Sequence, residues 1–313
     1  PSHPGVDSLE VTGEPLPCFA KLNSSCKRLN QTFSETAVFS SLLASLSLLT
    51  VTLNLLVIIS ISHFRQLHTP TNTLLLSLAV SDLVVGLLVM PIEGLRYVEM
   101  CWWLGSLMCA LTPYVSYCVL SASVGNMVLI SIDRYLAICD PLLYTTKVTL
   151  TRAKIAICLC WACSLLQERY NSCHGECVVV ISHISGTVDL FITFVLPCTV
   201  MVVMYMRVFI AAVAQMRVIR IQNVALAVNA APRVTKSEWK AARTLGIVIT
   251  VFLLCFYTSN NLSYFAVLSW ILMINSCVNP LIYALFYPWF RRSIKLIVTF
   301  KILRLYSNDI KLL

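Results

Sequence analysis

Asp82, Asp133, Arg134 and Asp189 are ionisable side chains set in or at the end of long apolar stretches. A charge in hydrocarbon is costly, so each is read first as functional. Asn54, Ser123, Asn275, Ser276 and Asn279 add neutral polar groups. Asp82, Ser123, Asn275, Ser276 and Asn279 fall at similar depth in different stretches. Together they suit a small hydrated cluster in which Asp82 supplies full charge to a monovalent cation such as sodium. The same groups also suit an interhelical hydrogen-bonded glue. Asp133 and Arg134 close "YVSYCVLSASVGNMVLISIDRYLAI" and have two readings. They are a snorkelling pair at the membrane edge, or a latch that holds Arg134 in one state and frees it in another. No metal or nucleophile constellation and no transporter-type internal repeat stands in the helices, which argues against an enzyme or a transporter.

The elements that must position these residues follow from composition. The 313 residues are 58% hydrophobic and 12% charged, with a mean hydropathy of +0.82. A soluble domain of this size would need more charge on its surface. Seven apolar runs, roughly 38–62, 72–95, 106–139, 151–166, 184–214, 241–257 and 264–287, are long enough to be read as membrane helices. In lipid the backbone must bond to itself, and the period-two pattern of a barrel is absent, so the expected fold is an all-α seven-transmembrane helix bundle.

Basic residues orient it. Arg207, Arg217, Arg220, Arg233, Lys236, Lys240 and Arg243 fall between two runs, and Arg291, Arg292, Lys295, Lys301 and Arg304 follow the last. The positive-inside rule places both groups in the cytosol and the N-terminus outside. The net charge of +9 is therefore topological and does not mark a nucleic-acid partner. The first forty residues are polar, without a cleavable signal peptide, so the first run is expected to act as the targeting signal. Asn23 and Asn30 open glycosylation sequons on the outer side. The expected divisions are an extracellular segment over 1–37, a membrane domain over 38–287, and an amphipathic inner-leaflet helix with cytosolic tail over 288–313. Of fourteen cysteines, Cys18, Cys26, Cys101, Cys109, Cys173 and Cys177 flank helices on the outer side, where disulfides are allowed.

Asp133-Arg134-Tyr135 ending the third run, Asn54 in the first, Ser81-Asp82 in the second, Trp161 in the fourth, Pro197 in the fifth and Asn279-Pro280-Leu281-Ile282-Tyr283 in the seventh resemble the rhodopsin-like G protein-coupled receptors. "NSCVNPLIYALFYPWFRRSIKLI", "ISIDRYLAICDPLLYTTKVT" and "PCFAKLNSSCKR" resemble, more narrowly, the trace amine-associated receptors. The resemblance implies a plasma-membrane receptor that senses amines, mostly in olfaction, and raises cyclic AMP through a stimulatory heterotrimeric G protein. It implies a disulfide between Cys109 and Cys177, and one from Cys18, or Cys26, to Cys173. It implies that Arg134, Tyr205, Pro280 and Tyr283 rearrange on activation and that Asp82 holds sodium at rest; no other cofactor is expected.

Amine receptors of this class usually carry an Asp seven residues after the loop-clamping Cys; here that position is Ser116. Asp189, eight residues before Pro197, carries the acid instead, an arrangement that resembles one group of fish trace amine receptors. An ammonium ion in an apolar pocket needs a counter-charge. Asp189 is the expected anchor, with Ser116, Tyr117 and Trp270 beside it. Tyr114, Tyr117, Tyr264 and Trp270 offer cation–π faces or are plain packing. Glu93, Glu99 and Glu176, read as loop acids, would steer cations inward or meet a second ammonium.

The pattern breaks in two places. Only fifteen residues separate Trp161 from Cys177, and run 151–166 spans ~24 Å, short of the ~30 Å hydrocarbon core. After Cys255 stand Phe256, Tyr257 and Thr258, where the family has a Trp and, two residues on, a Pro. Helices four and six therefore read as truncated. This leaves two rivals to the amine receptor: a non-amine rhodopsin-like receptor, and a divergent or defective receptor-like protein that does not signal.

Overall fold

The computed structural model describes residues 33–99, 102, 104–164, 188, 191–225, 263–300 and 302. Among these the chain is helical. α1 (Phe33–His63) leads through a short 3₁₀ turn (Arg65–Leu67) to α2 (Pro70–Val84), which continues through a π-helical turn (Val85–Val89) into α3 (Met90–Glu99). α4 (Gly105–Cys139), α5 (Pro141–Lys147) and α6 (Leu150–Ser164) follow. A second π-helical turn (Phe191–Val195) opens α7 (Leu196–Ala225), and α8 (Ser263–Phe286) and α9 (Pro288–Val298) complete the described chain.

Four described stretches are long and apolar enough to cross a membrane: Ser34–His63, Pro70–Arg96, Leu107–Cys139 and Phe191–Ala211. The chain is a multi-pass membrane protein. α1, α2–α3, α4, α6, α7 and α8 fall on the first, second, third, fourth, fifth and seventh apolar runs; run 241–257 lies outside the described residues. α1 starts at Phe33, five residues before the expected boundary, because Ser34, Glu35 and Thr36 form its first turn. An acid there faces the positive end of the helix dipole.

Helix starts are set by local chemistry. Thr69 caps α2, its side chain accepting the Asn72 N–H at 3.3 Å, and Pro70 fills the first turn, where no N–H is required. Pro141 and Pro288 do the same for α5 and α9. Tyr287 is extended at φ −103°, ψ 107°, which turns the chain out of α8 before α9 begins.

Packing divides into two apolar clusters. The inner one joins Val57 and Ile61 of α1, Leu75 and Ala79 of α2, Tyr283 of α8 and Trp289 and Phe290 of α9. The outer one joins Leu43, Val85, Val89, Met90, Val119 and Met273. α9 therefore presses Trp289 and Phe290 into the bundle and leaves Arg291, Arg292 and Lys295 exposed. That is the division of an interfacial amphipathic helix. Two seams are closed by glycine. A Cβ at Gly86 would sit 3.1 Å from Thr50 Cγ2 on α1, and one at Gly125 would overlap Cys160 Sγ on α6.

Candidate functional site

Asp82 is fully buried and fully engaged. Ser123 Oγ lies 3.2 Å from its Oδ1 and 2.9 Å from Ser81 Oγ, and Asn279 Nδ2 donates to its Oδ2 at 2.8 Å. The Ser276 side chain also bonds to it. Three helices, α2, α4 and α8, thus converge on one carboxylate. An anion with several oxygen donors around it is the composition that holds a hard monovalent cation.

Asn275 departs from the expected group: its Nδ2 donates to Met127 Sδ at 3.3 Å. Adjacent residues on a helix point about 100° apart, so Ser276 facing Asp82 turns Asn275 aside toward α4. The turn in α8 has its own support. Pro280 brings no N–H to the Ser276 carbonyl four residues back. Asn54 Nδ2 donates to that carbonyl at 3.0 Å, while also donating to Thr50 O at 2.9 Å. On α2–α3, Ser47 Oγ similarly donates to Gly86 O within the π-helical turn, at 2.6 Å.

The inner end of α4 carries a second polar knot. Arg134 donates from Nε and Nη2 to Asp133 Oδ2, at 3.0 and 2.5 Å. Thr71 Oγ1 on α2 lies 2.9 Å from the same oxygen and accepts from Arg134 Nη2 at 2.6 Å. Tyr144 OH on α5 donates to Asp133 Oδ1 at 3.2 Å. Asp133 is 3% exposed, while Arg134 keeps 32% of its side chain open. The Asp133 carboxylate ties α2, α4 and α5 together and holds Arg134 beside it. Tyr287 lies within electrostatic reach of both Arg134 and Tyr205, and Tyr205 of Tyr283 as well. Sequence reasoning missed Thr71 and Tyr144. No sequence signal marked them, because their contacts with Asp133 form only when α2 and α5 are in place.

Of the other expected binding residues, Trp270 takes the packing alternative and Glu93 departs from expectation. Trp270 packs edge-on against Phe39 of α1, ring centroids 5.5 Å apart, and joins the outer apolar cluster. Glu93 lies in α3, not in a loop, and pairs with Arg96 at 3.5 Å. A helical i,i+3 pair forms locally and draws that charge onto its own helix. Ser116 and Tyr117 lie on α4, and the Ser116 hydroxyl is buried without a hydrogen-bond partner among the described residues. Cys109 is disulfide-bonded. Asp189, Cys18, Cys173, Cys177, Asn23, Asn30 and Glu176 lie outside the described residues.

The family described as 7 transmembrane receptor (rhodopsin family) matches residues 53–283. Trace amine-associated receptor 13c of Danio rerio is 37% identical over 325 positions, covering 94% of this chain and 95% of the relative. Trace amine-associated receptor 1 of Mus musculus is 36% identical, covering 94% and 98%, and that of Homo sapiens 35%, covering 94% and 97%. This chain belongs to the rhodopsin family of seven-transmembrane receptors, among the trace amine-associated receptors. It is a receptor, not an enzyme. The Asp82 and Asp133 knots lie wholly within the family-matched region. In the Danio rerio alignment, 94% of 313 residues occupies 325 positions, so about 30 positions of the relative have no counterpart in this chain.

Proposed function

We propose that this receptor sits in the plasma membrane with its N-terminus outside, senses small amines, and activates a stimulatory G protein to raise cyclic AMP. The observation that carries this reading is the likeness, over nearly the whole chain, to receptors named for trace amines. Asp189 is the proposed ammonium anchor, because it is the acid set in the outer half of an apolar run where Ser116 can offer no counter-charge. Asp133 holds Arg134 at rest, and release of Arg134 opens the cytosolic face to the G protein. Asp82, Ser123, Ser276 and Asn279 hold a sodium ion that favours the resting state. Cys109 pairs with Cys177, Cys18 ties the N-terminal segment to Cys173, and Asn23 and Asn30 carry glycans.

The test is a cyclic AMP response in cells that display the chain at their surface, over a panel of primary, secondary and tertiary amines. At least one amine should act, and Asp189→Asn should abolish its action with surface display retained. Unchanged potency in the variant would remove Asp189 as the anchor. A second reading is supported by the roughly 30 positions absent relative to the Danio rerio receptor. Losses in helices four and six would leave a receptor-like protein that folds poorly and does not signal. Immature glycans and no surface display would favour it.

A further inference from the structure

Two hydroxyls on α4 differ from five other helical hydroxyls among the described residues. Thr50, Thr52, Ser60, Ser131 and Thr199 each donate to the carbonyl four residues back, at 2.6 to 2.8 Å. Thr112 Oγ1 and Ser116 Oγ are buried and make no hydrogen bond among the described residues. They stand one turn apart, so they share a face of the helix. Cys109, Val119 and Ser123 occupy the same stripe and are buried, whereas Leu107, Met108 and Leu111 are exposed. The two hydroxyls therefore point into the bundle. Pro113 lies between them and contributes no N–H to the helix ladder.

A buried hydroxyl left without a partner is costly, and such groups are retained where something else completes them. The chemistry of the partner follows from what is absent. From Gly105 to Ile132, α4 carries no acidic residue. An ammonium placed here would find no counter-charge on this helix and would lose its hydration. A neutral hydroxyl both donates and accepts, which matches two hydroxyls stacked one turn apart.

We propose that Thr112 and Ser116 form a hydroxyl notch for a neutral hydrogen-bonding group of the ligand, so that the receptor prefers amino alcohols to alkylamines and diamines of equal length. The proposal rests on the reading that Asp189 takes the ammonium; the notch then takes the other end.

The experiment uses the purified full chain in detergent and reads thermal unfolding against ω-amino alcohols, alkylamines and α,ω-diamines of three to six carbons. An amino alcohol should stabilise the chain at about tenfold lower concentration than the matching alkylamine. T112V/S116A should erase that advantage, so that the amino alcohol and the matching alkylamine stabilise the variant at the same concentration; if the double variant does not fold, Ser116→Ala alone reads the same difference. An advantage that survives the substitutions, or that never appears, overturns the notch. Asp189→Asn separates the two readings. If it leaves the amines bound while the notch variant still erases the hydroxyl advantage, the anchor falls and the notch stands. If no amine stabilises the unmodified chain, both fall.

Discussion

At the residue scale, Asn54 shows how a proline inside a membrane helix is made tolerable. Pro280 withholds an N–H from the Ser276 carbonyl, and Asn54, 222 residues away, supplies one at 3.0 Å. Asn54→Leu removes that donor and should lower stability by about 1–3 kcal/mol, the cost of a buried unpaired polar group. The unfolding midpoint in detergent checks it, and an unchanged midpoint would show that the carbonyl finds another donor. Thr71 supports a second prediction, because one hydroxyl touches both Asp133 and Arg134. Thr71→Val should loosen Arg134 and raise ligand-free cyclic AMP about twofold to fivefold, the scale of losing one hydrogen bond of about 0.5–1 kcal/mol. Basal signalling equal to that of the unmodified chain would assign Thr71 to packing alone. Neither role could be read from the sequence. The adjacency of Asp133 and Arg134 was visible, but Thr71 and Tyr144 lie 62 and 11 residues from Asp133 and meet it only when α2 and α5 are in place.

At the element scale, the spans were legible because lipid leaves the backbone so few options. α4 runs from Gly105 to Cys139, against an expected 106–139, and α8 from Ser263 to Phe286, against 264–287. What run length cannot give is the rotation of each helix about its axis. That rotation sends Asn275 to Met127 instead of Asp82 and sets Trp270 against Phe39. The seam between α4 and α6 gives a prediction at this scale. A methyl group at residue 125 would overlap Cys160 Sγ, so the helices must part or Cys160 must turn. Gly125→Ala should destabilise by about 1–3 kcal/mol, as overpacking does. G125A/C160A should recover most of that loss, since the clash disappears with the sulfur. A double variant no more stable than Gly125→Ala would place the strain elsewhere.

At the scale of the whole molecule, the inner half is built around connected polar and apolar sets that reach across the bundle. Asp82 joins three helices, Asp133 joins three, and Trp289 and Phe290 seal α9 against α1 and α8. In the proposed orientation the sequence irregularities belong to the outer half: the fifteen residues between Trp161 and Cys177, and the missing Trp and Pro after Cys255. In the proposed function, coupling to a G protein uses the inner half and ligand recognition the outer, so the two properties should separate. The decisive chimera replaces residues 162–176 and 256–269 with the aligned segments of the Danio rerio receptor and leaves both polar knots intact. It should respond to amines at least about tenfold more potently than this chain, equivalent to about 1.4 kcal/mol of regained binding. Ligand-free signalling should be the same in both, because nothing in the inner half has changed. Equal amine potency would mean that the short segments already close a working pocket. Raised basal signalling with no gain in potency would mean that the outer segments restrain the resting state and do not contact the ligand.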